Sequence, residues 1–179
     1  CEYGATITSI QSIDRNDEMA EICLGYDDLQ SHLNDTQSIG VTVGRYANRI
    51  AHSQFDISGK IYRLDANIPP HQIHGGAQGY GKQLWAGTSF ENDTHIGVTF
   101  QRTSLDGESG YPGNLDVSVK YSLSEQGGLS IEYTAMCDMD TYVNLTNHAY
   151  FNLAGNDDIK NHEITIYSDE VTLLNTEFL

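Results

Sequence analysis

The chain has 179 residues, of which 39% are hydrophobic, and a formal net charge of -16 from 9 basic and 25 acidic residues. That length is sufficient for one domain with a buried core, and no stretch approaches the roughly 20 apolar residues of a membrane helix. Because so acidic a surface repels phosphate groups, we expect neither a nucleic-acid nor a membrane partner, and a phosphorylated substrate is disfavoured.

Alternation of apolar and polar residues predicts β-strands along most of the chain. The predicted strands are, in chain order, residues 5–13, 21–24, 55–61 (a hairpin turning at 58–60), 96–100, 115–123, 129–137, 142–145, 163–167 and 171–174. One short helical turn is predicted for residues 27–33. Many short strands separated by Gly, Asn and Asp turns indicate a sandwich of antiparallel sheets, so we predict a single all-β domain over residues 1–179.

Three cysteines are present: Cys1, Cys23 and Cys137. Their odd number and the lack of C-x-x-C spacing argue against a disulfide framework and against a structural zinc site. This usage fits a reducing compartment, and we expect a cytoplasmic protein.

The segment 44–50, Gly-Arg-Tyr-Ala-Asn-Arg-Ile, groups hydrogen-bonding side chains in a chain with few cations. Arg45 and Arg49 present planar forks of donors, and Asn48 both donates and accepts. Such residues suit the vicinal hydroxyls of a sugar. Alternatively, one arginine pairs with a carboxylate of this acidic chain, and the pattern alone leaves both interpretations open.

The segment 69–76, Pro-Pro-His-Gln-Ile-His-Gly-Gly, contains two histidines three positions apart. On a helix, His71 and His74 would have metal-ligand spacing, but the prolines and glycines disfavour a helix and no third ligand is evident. We therefore predict no metal site. Either histidine can bind a ligand or hold a backbone carbonyl.

The segment 147–153, Asn-His-Ala-Tyr-Phe-Asn-Leu, follows a predicted strand. His148 suits general acid–base chemistry because an imidazole titrates near neutrality, and Tyr150 can pack on a sugar ring. The alternative is a histidine held in the core. No nucleophile elbow, Ser-His-Asp order or phosphate-binding loop is present, so acyl transfer finds no support. A third loop rich in special residues, 106–114, is a further candidate for binding.

Six segments together resemble the galactose mutarotase (aldose 1-epimerase) family. They occur in the family's order and span nearly the whole chain, which makes the set specific although each one is weak alone. The matching segments are residues 3–5, 24–27, 44–50, 73–76, 106–115 and 143–153.

The resemblance implies an all-β fold, an incomplete antiparallel β-supersandwich with a broad sugar-binding cleft. It implies an isomerase that interconverts the α and β anomers of free hexoses such as galactose and glucose, with a small-molecule sugar as partner and no cofactor. The family's proton donor matches His148, and its second catalytic histidine, which contacts the sugar near the ring oxygen, matches His74. The substrate-binding positions match Asn48, Arg49, His74, His148, Ala149 and Tyr150.

The chain departs from the family in length. Family members are longer, and their general base, a Glu, and a substrate-binding Asp lie beyond the counterpart of Leu179. The first residues match the interior of an early strand. We therefore interpret residues 1–179 as one partial domain that holds the acid and lacks the base, and we expect such a piece to expose sheet edges and to aggregate.

Two other functions stay open. A relative that acts on hexose phosphates would need additional arginines near its pocket, which the acidic composition disfavours. A noncatalytic sugar-binding module would keep Arg49 and the aromatic residues without needing His148.

Overall fold

The computed structural model describes residues 1–155 and 158–179, and most of its regular structure is antiparallel β-sheet. Within these residues there is one α-helix, α1 (Leu29–Leu33), and there are 3-10 turns at Ala51–Ser53, Tyr80–Lys82 and Glu108–Gly110. The strands are β1 Gln11–Ile13, β2 Met19–Glu21, β3 Thr42–Val43, β4 Arg49–Ile50, β5 Gln54–Ile57, β6 Lys60–Arg63, β7 Gln72–Ile73, β8 Ala86–Glu91, β9 His95–Ser104, β10 Leu115–Ser124, β11 Leu129–Cys137 and β12 Thr146–Asn147. The predicted all-β class is confirmed.

The largest sheet has four antiparallel strands in the order β11-β10-β9-β8. Every second side chain of β10 from Leu115 to Tyr121 is buried, as the alternating pattern predicts. Leu123, at the end of the same apolar series, is 43% exposed because the strand runs past the core there. The predicted hairpin of β10 and β11 is therefore confirmed, and it supplies the platform on which the rest of the chain packs.

The hydrophobic core lies on one face of this sheet, where aromatic rings meet edge to face. The ring centroids of Tyr80 and Trp85 are 5.5 Å apart, and those of Phe100 and Tyr121 are 6.1 Å apart. The indole N–H of Trp85 donates to the carbonyl oxygen of Tyr80 at 3.2 Å, so its polar atom is satisfied inside the core. The buried members of this cluster are Ala5, Tyr80, Trp85, Phe100, Leu115, Val117, Val119 and Tyr121.

Two small sheets carry the segments that the sequence marks as functional. Strand β12 pairs with β3, and β4 pairs with β7, both antiparallel. A bridge between Tyr46 and Asn144 links these two pairs of strands. The pairing brings segments 44–50, 72–76 and 146–150 together, although they lie far apart in the sequence.

Several strand predictions are wrong in position or existence. Within residues 5–13 only β1 forms a strand, and the strand predicted at 21–24 is displaced to β2. Residues 163–167 and 171–174, all described, form no strand, because a strand requires hydrogen-bonded neighbours and these segments have none beside them. The predicted strand 142–145 likewise gives way to β12, where a pairing partner is available.

No helix among the described residues is long and apolar enough to cross a membrane. All three cysteines lie in the described part of the chain, and none of them forms a disulfide. The single domain and the cytoplasmic location stay predictions.

Candidate active site

His148 directly follows β12, and its main chain is held on both sides. Its N–H donates to the carbonyl oxygen of Val41 at 2.9 Å, and its carbonyl oxygen accepts from the N–H of Gly40 at 3.0 Å. The imidazole is half-buried, and no residue in the described part of the chain hydrogen-bonds its ring nitrogens. The backbone is thus fixed while the ring nitrogens are available to a ligand.

His74 directly follows β7 and is held by neighbouring asparagines. The side-chain amide of Asn67 donates to the carbonyl oxygen of Ile73 at 3.0 Å and accepts from the Ile73 N–H at 2.8 Å. The N–H of His74 donates to the carbonyl oxygen of Asn48 at 3.0 Å. Both His74 (φ 53°) and Asn48 (φ 64°) adopt the left-handed conformation, which is uncommon outside glycine. The two residues lie side by side in this conformation and hydrogen-bond each other.

The imidazoles of His74 and His148 meet edge to face, with ring centroids 5.2 Å apart. The Nδ1 atom of His74 accepts a hydrogen bond from the backbone N–H of Asn48 at 3.0 Å. An imidazole that accepts at Nδ1 is neutral and carries its proton on Nε2, so the other ring nitrogen of His74 is a hydrogen-bond donor. The ring nitrogens of His148 carry no such bond within the described residues, so its tautomer is not fixed in this way.

The electrostatic surroundings favour the same state of His74. Burial lowers the pKa of His74, and the neighbouring His148 and Arg49 lower it further. Arg49 is half-buried, donates to the Asn48 side-chain oxygen at 3.4 Å, and lies over the ring of Phe178 at 5.3 Å from its centroid. Geometry and charge therefore both support a neutral His74 beside His148.

His74, His148 and Tyr150 line one cavity of about 430 Å³, a size suited to a small molecule. The ring of Tyr150 lies 5.1 Å from that of His148, and its hydroxyl donates to the carbonyl oxygen of Gln37 at 3.1 Å. Much of the remaining wall is polar and includes Asp35, Thr36, Gln37, Ser38, Asn67 and Lys82.

The other predicted site residues lie close to this cavity without lining it. Asn48 and Arg49 lie beside His74, and the N–H of Ala149 donates to the side-chain oxygen of Asn147 at 2.9 Å. His71, the other histidine of its segment, is buried, and its Nδ1 accepts from the N–H of His52 at 3.0 Å. That histidine is structural.

The loop that follows α1 forms part of the cavity wall and was not predicted. Its Asp35 carboxylate accepts from the Tyr26 hydroxyl at 2.9 Å and from the N–H groups of Gln37 and Ile39 at 2.8 Å. Burial acts to raise the pKa of Asp35, but the bonds from the two N–H groups and the phenol outweigh it and lower the pKa. The bond from the Tyr150 hydroxyl to the Gln37 carbonyl oxygen joins this loop to a distant segment, and no local sequence pattern signals that contact.

Arg45, the other arginine of segment 44–50, is 2% exposed and serves the fold. Its guanidinium donates to the carbonyl oxygens of Ser104 and Gly113, each at 3.1 Å. It pairs directly with no carboxylate of the described residues, so the alternative of an arginine–carboxylate pair is not what forms. Segment 106–114, which stays a candidate for binding, contacts segment 44–50 through the bonds from Arg45 to the carbonyl oxygens of Pro112 and Gly113.

Within residues 1–155 and 158–179, no three His, Cys, Asp or Glu side chains cluster closely enough to hold a metal ion.

Comparison with known proteins gives matches over most of the chain. The aldose 1-epimerase family profile matches residues 1–179. The galactose mutarotase of Rattus norvegicus is 45% identical over 169 residues, which are 93% of this chain and 48% of that protein. The aldose 1-epimerase of Haemophilus influenzae is 40% identical over 177 residues, 94% of this chain and 48% of that protein. The chain thus spans about half the length of the curated relatives it matches.

Solved structures show the same fold. An aldose epimerase homologue from C. elegans superposes with a TM-score of 0.80 at 34% identity, covering 88% of this chain and 48% of that one. A galactose 1-epimerase from Lactobacillus acidophilus gives a TM-score of 0.76 at 28% identity, covering 84% of this chain and 44% of that one. These similarities confirm the sandwich of antiparallel sheets implied by the resemblance.

Proposed function

Because this chain belongs to the aldose 1-epimerase family, we propose that it binds a free hexose in the cavity beside His148 and provides the acid that interconverts its α and β anomers. The proposed substrates are neutral aldoses such as galactose and glucose. One observation carries the assignment of roles: of two imidazoles in contact, His74 is fixed as a neutral donor, whereas the ring nitrogens of His148 have no hydrogen-bond partner among the described residues.

Interconversion of anomers requires the C1–O5 bond of the sugar to break and reform. A base takes the proton of the C1 hydroxyl, and protonated His148 gives its proton to O5. The C1–O5 bond breaks as C1 and O1 form the aldehyde double bond. Rotation about C1–C2 presents the other face of the aldehyde, and the reverse proton transfers close the ring. A single positioned acid contributes about 10²–10⁴-fold to such a step.

The remaining residues bind the sugar. The Nε2–H of His74 donates near the ring oxygen, and Asn48 and Arg49 supply donors and acceptors for hydroxyl groups. The ring of Tyr150, next to His148, offers an apolar face to the sugar ring. A neutral sugar requires no counter-charge, which agrees with the net charge of -16.

No base is assigned within the described residues. Asp35 lines the cavity, but its carboxylate is already held by three hydrogen bonds and is poorly suited to accept a proton from the sugar. In accordance with the family resemblance, we propose that the base is a carboxylate outside residues 1–179.

Polarimetry of freshly dissolved α-galactose and α-glucose tests the proposed reaction. The full-length protein is expected to accelerate the approach to equilibrium rotation, because it lowers the barrier to ring opening. Methyl α-galactoside, which has no free C1 hydroxyl, serves as the control and should show no change of rotation.

Two outcomes would overturn the proposal. Sugar binding without any acceleration would indicate a noncatalytic sugar-binding module. Acceleration confined to hexose phosphates would indicate a relative that acts on charged sugars.

A further inference from the structure

The hydroxyl of Tyr121 is the centre of a buried polar cluster near the candidate acid. It donates to the carbonyl oxygen of Ala5 at 2.8 Å and accepts from the side-chain amide of Asn147 at 3.1 Å. The hydroxyl of Thr42 lies 2.9 Å from the same phenol oxygen. Thr42 is fully buried and Tyr121 is 7% exposed, so these polar groups depend on each other for their hydrogen bonds. We call Thr42, Tyr121 and Asn147 the Tyr121 cluster.

Asn147 connects this cluster to the main chain on both sides of His148. Its Nδ2 also donates to the carbonyl oxygen of Gly40 at 2.9 Å, and its Oδ1 accepts from the N–H of Ala149 at 2.9 Å. Gly40 is the residue whose N–H bonds the carbonyl oxygen of His148. With the amide flipped, Nδ2 would lie against the N–H of Ala149, which is a donor, and Oδ1 against the carbonyl oxygen of Gly40, which is an acceptor. The orientation of the Asn147 amide is therefore determined.

The position of the phenol is set by the large sheet. Tyr121 lies on β10, an interior strand, opposite Val98 of β9 and Ile131 of β11. Its ring packs edge to face against Phe100. The two-residue strand β12 has little rigidity of its own, and through Asn147 it is tied to a ten-residue strand paired on both sides.

We propose that the Tyr121 cluster is a positioning device that holds the main chain of His148 so that its imidazole keeps its place against His74. The proposal that the cluster places His148 does not depend on the reaction. Only the effect of that placement on catalysis rests on the proposed function. Acid catalysis demands such placement, because an error of about 1 Å in the position of a reacting group can cost on the order of 10²-fold in rate.

Tyr121→Phe is the principal variant, because it removes one hydroxyl and leaves the ring in the core. Tyr133→Phe is the matched control: Tyr133 lies on the neighbouring strand β11, and its buried hydroxyl has no partner among the described residues. Thr42→Val and Thr42→Ser form a second pair, in which only serine retains the hydroxyl.

Amide hydrogen exchange in the full-length protein measures placement without reference to activity. In Tyr121→Phe and Thr42→Val, we expect the amides of His148 and Ala149 to exchange at least about tenfold faster, while the amides of β9 and β10 keep their protection. Tyr133→Phe and Thr42→Ser are expected to match the wild type.

Kinetics give the second measurement. In Tyr121→Phe, kcat for mutarotation is expected to fall about 10- to 100-fold with KM little changed, since positioning acts on the reacting proton. Unchanged amide exchange at His148 and Ala149 in Tyr121→Phe would overturn the proposal. A uniform loss of protection across the large sheet would also overturn it, because that result indicates a merely structural role. If the wild type fails to accelerate mutarotation, the proposed function fails, and the exchange measurement still decides whether the cluster positions His148.

Discussion

At the scale of single residues, the two histidines that line the cavity differ in the hydrogen bonds of their rings. The ring of His74 is fixed by the backbone N–H of Asn48, whereas the ring nitrogens of His148 have no partner among the described residues. The proposed assignment of His74 as a donor and His148 as the acid therefore rests on which ring nitrogen is already occupied.

Nitrogen-15 NMR of the histidine rings tests this assignment. At neutral pH, His74 is expected in the neutral form with its proton on Nε2. His162 is the internal control, because its Nε2 accepts from the N–H of Leu153 at 2.9 Å and it should show the opposite tautomer. A His74 ring protonated at Nδ1 would contradict the hydrogen bond from Asn48.

At the scale of structural elements, buried Arg45 joins loops that come from distant parts of the chain. One guanidinium nitrogen donates to the carbonyl oxygen of Pro112 at 2.8 Å, and the other donates to the Ser104 hydroxyl at 2.7 Å. The same hydroxyl donates to Glu108 at 2.9 Å, which brings a carboxylate near the buried charge. Arg45 thereby fixes the segment that presents Asn48 to His74.

Arg45→Lys is expected to lower the free energy of unfolding by about 2–4 kcal/mol, because an ammonium lacks the planar fork that reaches several acceptors and leaves buried carbonyl groups unpaired. Chemical denaturation monitored by circular dichroism measures the change. Arg63→Lys, at an exposed position of β6, is the control and should change stability by less than about 0.5 kcal/mol. Equal effects of the two variants would contradict the structural role of Arg45.

The elements differ in how far the sequence predicts them. The hairpin of β10 and β11 is predictable because its strands alternate strictly and a Gly-bearing turn separates them. Strand β8 is not, because its sequence Ala-Gly-Thr-Ser-Phe-Glu has no alternation and its pairing with β9 makes it a strand. Residues 163–167 show the reverse case: they alternate well, but Tyr167 is 99% exposed and no neighbouring strand is paired with them.

At the scale of the whole molecule, the motifs predict His74 and His148 as site residues, and the fold brings their rings into contact. His74 and His148 lie 74 positions apart, and their contact depends on the pairing of β3 with β12 and of β4 with β7. The Tyr121 cluster and the bond from Tyr150 to Gln37 likewise rest on contacts between distant segments. No local pattern signals such contacts, so the sequence predicts the candidate reacting groups but not the residues that surround them.

The measurement that tests the central claim most directly is the mutarotation rate of His148→Gln in the full-length protein, by polarimetry with α-galactose. The account predicts that kcat falls by about 10²–10⁴-fold, because glutamine retains a similar polar shape but cannot deliver a proton. His95→Gln, on β9 and away from the cavity, is expected to keep the wild-type rate. A His148→Gln protein with the wild-type kcat would contradict the assignment of His148 as the acid.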